Sequence, residues 1–130
     1  MRKFNKKRSL QKCRNYRLRI LELSQKVSAL HIGGSFSCTE ILEVLFNYFL
    51  KTKKEKQCFI LSKGHSSILQ YVILEDKKIL KKKVLDRYCK KGGILGVHPD
   101  RGNPGINAST GSLGHGLGMA TGIAIAEKKS

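Results

Sequence analysis

The sequence has 130 residues and a formal net charge of +17, because 26 lysines and arginines stand against 9 aspartates and glutamates. This length is enough for one domain or for part of one. No apolar run is long enough to cross a bilayer, and no signal peptide follows the basic start, so we expect a cytoplasmic location. The four cysteines are widely spaced without a C-x-x-C pair and indicate neither a zinc knuckle nor a disulfide scaffold.

The positive charge is concentrated in blocks that allow two interpretations. A charge of this size supports non-specific attraction to nucleic acid or to an anionic surface. The blocks do not lie beside the aromatic residues that single-strand binders need for stacking, and solvated helix faces explain them equally well. We therefore do not expect nucleic-acid binding as the main function, and a basic module for RNA or another anionic partner stays an alternative.

The first half of the chain predicts two helices. Over residues 9–29, spacings of three and four residues predict a helix with one apolar stripe. The basic segment 1–15, which overlaps the start of this helix, is expected to be flexible. Residues 31–37 read as a turn, and Ser37-Cys-Thr-Glu40 fits a capping box that opens a helix through Phe49. The predicted stripe of the first helix consists of Leu10, Cys13, Arg17, Ile20, Leu21, Ser24 and Val27.

The second half predicts a strand, a turn and a helix in succession, which indicates an α/β fold. Residues 57–61 are short and apolar and predict a strand, and a helix is predicted over residues 66–75 after the turn Ser62-Lys-Gly-His65. A helix start beside the carboxyl end of a strand is where α/β folds usually bind ligands. Further helices are predicted over residues 82–90 and 113–128.

Ten of the 13 glycines lie between residues 92 and 122. Glycine costs a helix about 1 kcal/mol relative to alanine, so glycines in the first turns of a helix indicate close approach to a backbone or a ligand. The run Ser109-Thr-Gly-Ser-Leu-Gly114 places backbone N–H groups and hydroxyls at a predicted helix start, which favours a phosphate. It is neither a P-loop nor a G-x-G-x-x-G fingerprint, so a nicotinamide nucleotide is not indicated.

Four short runs together resemble a known family. They are Gly33-Gly-Ser35, Leu61-Ser-Lys-Gly-His65, His98-Pro-Asp with Pro104-Gly105, and Ser109-Thr-Gly-Ser-Leu-Gly-His-Gly-Leu117. Their order and approximate spacing resemble the N-terminal, diphosphate-binding domain of transketolases, most of all the bacterial and archaeal form in which that half is a separate subunit. The resemblance covers about residues 16–128. It implies that residues 1–130 are the N-terminal portion of an α/β thiamine diphosphate-binding fold.

The resemblance also implies a cofactor site. His65 matches a histidine that contacts the cofactor's diphosphate, and Gly111 and Ser112 match the backbone that receives the same group. Leu113 matches the apolar residue beside the thiazolium and pyrimidine rings. Taken singly, these residues are explained about as well by structural roles, and only their occurrence together in the family's order indicates thiamine diphosphate.

Two further histidines are implied to be catalytic. His31 and His98 match histidines that line the substrate channel near the reactive carbon. The implied reaction transfers a two-carbon ketol unit between sugar phosphates, with the cofactor as electron sink. Imidazoles that titrate near neutrality suit the proton transfers of such a reaction. Deoxyxylulose-phosphate-synthase-like chemistry is a related alternative.

Some features depart from the family pattern. Leu30 and Val97 stand where relatives have a glycine just before a substrate-facing histidine. In the family, the aspartate of a Gly-Asp-Gly-Glu motif and a later asparagine hold the magnesium. This sequence contains neither by Ser130, so magnesium is an expected cofactor without an assigned ligand here. We therefore expect activity only with the remaining N-terminal segment and a C-terminal transketolase subunit, in a homo- or hetero-oligomer, and an inactive truncated remnant is the alternative.

Overall fold

The computed structural model describes residues 3–27, 30–50 and 58–129, and in these ranges the ordered elements are helices. A π-helical turn, Leu45–Phe49, continues the helix Thr39–Val44, and a 3₁₀ turn, Gly64–Ser66, leads into the helix Ser67–Asp76. None of the helices in the described ranges is long and apolar enough to span a membrane. The helices are α1 (Lys6–Ser24), α2 (Ile32–Phe36), α3 (Thr39–Val44), α4 (Ser67–Asp76), α5 (Lys82–Leu85) and α6 (His115–Lys129).

Helix α4 forms the centre of the fold. Its residues are buried without interruption from Ser67 to Leu74, so it has no solvent-facing side along this length. Helices α1, α2, α3 and α5 all pack against it. A helix that is apolar on all sides is stable only when it is enclosed in this way. The prediction of a helix over residues 66–75 is confirmed.

Helix α1 is confirmed, but the predicted buried stripe is wrong by one position in several places. Leu10 is 54% exposed and Leu21 is 40% exposed. The helix begins earlier than predicted, because the Asn5 side chain accepts a hydrogen bond from the Arg8 N–H at 2.9 Å and caps it. The basic segment 1–15 is part of α1 from Lys6 onward, and residues 28–29 lie outside the described ranges. The buried face consists of Ser9, Cys13, Tyr16, Ile20 and Leu23.

The predicted turn over residues 31–37 and the predicted capping box are both wrong. The turn is the short helix α2, and the Ser37 hydroxyl donates back to the Gly34 carbonyl at 3.0 Å instead of capping α3. Cys38 occupies the N-cap position of α3 without a side-chain cap. The other half of the box, Glu40, accepts from the Arg17 guanidinium at 2.8 Å. Glu40 therefore pairs with Arg17 of α1 instead of forming the predicted capping box.

The predicted strand over residues 57–61 is not formed in the described part, residues 58–61, and Gln57 lies outside it. A strand exists only when a neighbouring strand accepts and donates its backbone hydrogen bonds. Here the Phe59 N–H donates to the side chain of Asn107 at 3.2 Å, and the Leu61 carbonyl accepts from the Thr110 hydroxyl at 2.7 Å. In the described ranges the only β-type pairing is an isolated bridge between Arg101 and Asn103.

The last two predicted helices form with different bounds. Helix α5 ends at Leu85, short of the predicted residue 90, and Cys89 has a φ of 51°, which no α-helix accommodates. The Cys89 N–H bonds instead to the Leu95 carbonyl at 2.9 Å. Helix α6 begins at His115 because Gly114 before it has a φ of 89°.

A network of charges fastens α1 to α4 and α5. The Arg19 guanidinium on α1 donates to Glu75 at 2.9 Å and to Asp86 at 2.7 Å, and it also pairs with Glu22 at 2.8 Å. Arg17 and Lys12 on the same helix pair with Glu40 and Asp76. Part of the basic charge of α1 therefore has a role within the fold.

Candidate functional site

The segments that carry His31 and His65 lie next to each other near the start of α4. His31 directly precedes α2, and His65 lies in the 3₁₀ turn Gly64–Ser66. Their ring centroids are 5.4 Å apart in an edge-to-face arrangement. The structure thus brings together two histidines that are 34 positions apart in the sequence.

A close approach between α2 and the 3₁₀ turn sets this arrangement. A Cβ atom at Gly34 would lie 3.0 Å from Cδ2 of His65 and 3.1 Å from Oγ of Ser66. A side chain at position 34 would therefore press on the His65 ring. Of the glycine pair that the sequence singled out as a turn, Gly34 lies against this histidine, whereas Gly33 has open space around it.

The loop over residues 94–114 also approaches the turn around Gly64 closely, because glycines leave room at the points of contact. A Cβ atom at Gly64 would lie 2.8 Å from the carbonyl carbon and oxygen of Thr110, a distance that real Cβ atoms do not show. At Gly116 a Cβ atom would lie 2.6 Å from Cα of Ser62. The Thr110 hydroxyl donates to Leu61, so backbone approach and a buried hydrogen bond act together. These glycines make room for protein backbone, whereas the sequence left open whether they approach backbone or ligand.

His98 lies on the same loop, with its backbone fixed by α4. The Tyr71 hydroxyl donates to the His98 carbonyl at 2.9 Å, and Ser67 donates to the Val97 carbonyl. Burial raises the pKa of Tyr71 to about 12, so its hydroxyl keeps its proton and stays a donor. A Cβ atom at Gly111 would lie 3.4 Å from the His98 ring. The exposed imidazole of His98 therefore stands directly beside Gly111.

The electrostatics of the cluster favour a neutral His65. Burial lowers the pKa of His65, and the positive charge of Lys63 and the nearby His31 and His98 lower it further. A neutral imidazole has one donor and one acceptor nitrogen, so it can both give and take a hydrogen bond at neutral pH.

Lys63 is a residue of this site to which sequence reasoning assigned no role. Its ammonium donates to the Gly34 carbonyl at 2.7 Å and to the Ser37 hydroxyl at 2.9 Å. The run Ser62-Lys-Gly-His65 drew attention to the segment, but no signal in the sequence indicates that this side chain reaches α2.

The residues present fit part of a diphosphate site. The Ser66 hydroxyl is fully buried beside Gly34 and has no hydrogen-bond partner among the described residues. It lies at the start of α4, where the helix dipole favours an anion. Gly111 is partly buried, and Ser112 and Leu113 follow in the exposed turn before α6. A hydroxyl without a partner thus lies in the turn that carries His65, and Gly111 lies beside His98.

Leu30 and Val97, the two departures from the family pattern, both fit into the structure. Leu30 is partly buried and packs against the core. Val97 is half-buried, and its carbonyl is the acceptor for Ser67. Both side chains are accommodated beside the histidines that follow them.

A magnesium site does not fit the residues that are described. In residues 3–27, 30–50 and 58–129 there is no group of three or more histidines, cysteines, aspartates or glutamates that could hold a metal ion. No step of the chemistry is therefore assigned to a metal held by these residues.

Clustered histidines beside a buried hydroxyl without a partner at a helix start are typical of a ligand-binding site. Residues 9–130 match the family described as transketolase, thiamine diphosphate binding domain. This match covers most of the sequence, and the chain belongs to the transketolase family.

Named relatives agree with this assignment. An apulose-4-phosphate transketolase subunit of Phocaeicola vulgatus is 39% identical over 120 residues, which are 86% of this chain and 42% of that protein. The 6-deoxy-6-sulfo-D-fructose transketolase subunit SqwG of a Clostridium strain is 35% identical, over 82% of this chain and 41% of that protein. Transketolase 2 of Escherichia coli is 36% identical, over 83% of this chain and 17% of that protein. The chain thus spans about two fifths of the length of the relatives that are subunits.

Proposed function

We propose that this chain supplies the diphosphate-binding part of a thiamine diphosphate-dependent transketolase assembled from more than one piece. The implied reaction transfers a two-carbon ketol unit between sugar phosphates in the cytoplasm. The observation that carries the proposal is that His31, His65 and His98 lie near one another in a chain of this family. The names of two relatives, each a transketolase subunit, support an assembly with a further subunit.

In this proposal each residue of the site has a separate role. His65 and the buried Ser66 hydroxyl donate to the diphosphate at the start of α4, and Gly111 and Ser112 offer backbone N–H groups. Leu113 provides an apolar surface for the aromatic rings. When bound, thiamine diphosphate supplies the electron sink that ketol transfer needs.

His31 and His98 are proposed to move protons at the substrate. Both imidazoles are exposed on the side of the cluster that faces solvent, so a sugar phosphate can reach them. Histidine suits proton transfer because its ordinary pKa lies near neutral pH. The magnesium ligands and the sheet of the α/β fold come, in this proposal, from parts of the assembly outside the described residues.

Isothermal titration of thiamine diphosphate and magnesium tests the proposal. The titration is run with the chain alone and with the polypeptide of a neighbouring gene that matches the rest of a transketolase. We expect binding in the mixture and an affinity roughly ten- to a hundredfold lower in His65→Ala, as for a lost hydrogen bond to a charged group. His115→Ala removes an exposed histidine without an assigned role and is expected to bind normally.

Two other results contradict the proposal. A folded chain that binds no cofactor in either titration is an inactive member of the family or a repurposed one. Binding of RNA that weakens steeply as salt rises would then favour the basic module.

A further inference from the structure

The ammonium group of Lys63 joins the two segments that carry His31 and His65. It belongs to the same loop as His65, two positions before it, and its two hydrogen bonds both reach α2 and the residue after it. The acceptors are the Gly34 carbonyl at 2.7 Å and the Ser37 hydroxyl at 2.9 Å. The Lys63 side chain thus connects to the end of α2, 29 positions earlier in the sequence.

Helix α2 needs such a connection because it is weak by itself. It has five residues, two of them are glycines, and it has no side-chain cap at His31. Its last carbonyls, like those of every helix, have no partner within the helix, and a positive charge is favourable at this end. Lys63 supplies both a donor and a positive charge there.

The position of α2 decides where His31 lies. The His31 carbonyl accepts from the N–H and from the hydroxyl of Ser35, each at 3.1 Å, so His31 is fixed to the first turn of α2. A Cβ atom at Gly34 of the same turn would lie 3.0 Å from the His65 ring, so the two segments approach closely here. A displacement of α2 would therefore change the distance between the two imidazoles.

We propose that Lys63 is a positioning residue that sets the spacing of His31 and His65 by fastening α2 to the 3₁₀ turn. The meaning of this spacing for ketol transfer rests on the proposed function, whereas the spacing itself does not. Lys63 is a positioning residue and not a catalytic one, because both of its hydrogen bonds are made to protein atoms.

Nuclear Overhauser effects between the imidazole C–H protons of His31 and His65 test this role in the full chain without cofactor. We expect the cross-peak in the unsubstituted protein, its loss in Lys63→Met and its retention in Lys63→Arg, which keeps charge and donors. Lys83→Met, an exposed lysine on α5, is the matched control and is expected to leave the cross-peak unchanged.

Several outcomes would overturn the role of Lys63. They are the absence of the cross-peak in the unsubstituted chain, its persistence in Lys63→Met, and its loss in Lys63→Arg or Lys83→Met. If Lys63→Met does not fold, Lys63→Gln removes the charge and shortens the side chain that reaches Gly34 and Ser37, and an unchanged cross-peak in that variant contradicts the proposal.

A second readout separates this inference from the proposed function. Removal of the Lys63 charge is expected to raise the pKa of His65, as followed by the imidazole shifts, because Lys63 together with His31 and His98 lowers it. An unchanged pKa also contradicts the inference. Failure of thiamine diphosphate to bind would overturn the proposed function and leave these two results standing.

Discussion

Helices α4 and α6 are both rich in apolar residues, but their surroundings are opposite. Helix α4 is buried on all sides from Ser67 to Leu74. On α6, Leu117 is 72% exposed and Ile125 is 53% exposed, and Leu113 just before it is 70% exposed. Composition alone therefore does not decide whether an apolar helix belongs to the core of the chain that contains it.

The contacts of α6 explain the difference. It approaches the described chain closely at Gly116, which lies against Ser62. Farther along, a groove of about 210 Å³ separates it from Cys58 and Ile60. Exposed apolar patches on a protein mark surfaces for contact with other groups. The packing in this chain accounts for α4, whereas α6 has apolar surface that the described residues leave uncovered.

The largest expected effect comes from removing a side chain from α4. Leu69→Ala deletes a side chain that is 0% exposed, and we expect a loss of about 2–5 kcal/mol in the free energy of unfolding. Leu117→Ala on α6 is the matched control and is expected to change it by less than about 0.5 kcal/mol. Urea unfolding followed by circular dichroism measures both. Equal losses in the two variants would show that α6 is packed in solution as tightly as α4.

The same contrast explains which elements can be predicted from the sequence. The apolar spacing predicts helix α4 to within one residue at each end, because here the local pattern and the packing agree. Residues 58–61 have the composition of a strand, but no neighbouring strand is present in the described ranges, and Asn107 and Thr110 take the hydrogen bonds of that segment. A local pattern cannot show whether the partner of a strand is there.

The sequence motifs name the residues of the candidate site, but they do not predict its geometry. The motifs containing His31, His65 and His98 can be read directly from the sequence. The hydrogen bonds of Lys63 to Gly34 and Ser37 join positions that share no pattern, and the contact of Gly64 with Thr110 depends on how three loops pack. Such contacts are set by tertiary structure and leave no periodic signal.

Two glycines of α6 differ in how closely this helix approaches the rest of the chain. Gly116→Ala places a Cβ atom 2.6 Å from Ser62, and we expect this overpacking to cost about 1–3 kcal/mol of stability. Gly118→Ala lies in the same helix with open space around it, and we expect a gain of up to about 1 kcal/mol because alanine favours helix. Thermal unfolding of the two variants checks the opposite signs. A gain in both would mean that α6 does not rest on Ser62.

The smallest change in stability is expected at the ion pair that joins α1 to the end of α5, and it depends on pH. The Arg19 guanidinium, which donates to Asp86 at 2.7 Å, holds the pKa of that carboxyl below its usual value. A carboxyl whose pKa is lowered by folding stabilises the protein above the unfolded pKa, about 4, and loses this contribution as the pH falls through the folded value. Because Asp86 is partly exposed, we expect Asp86→Asn to cost no more than about 1 kcal/mol at pH 7.

The pH dependence of that difference is the decisive measurement, because a structural effect of asparagine would not titrate. Stability is measured from pH 7 downward for Asp86→Asn, for Arg19→Met and for the double variant. We expect the coupling between the two sites to be present at pH 7 and to vanish as Asp86 becomes protonated in the folded chain. A coupling that is constant with pH would mean that the Arg19–Asp86 pair adds no charge interaction between α1 and the end of α5, and that this contact is as dispensable as the exposed side chains of α6.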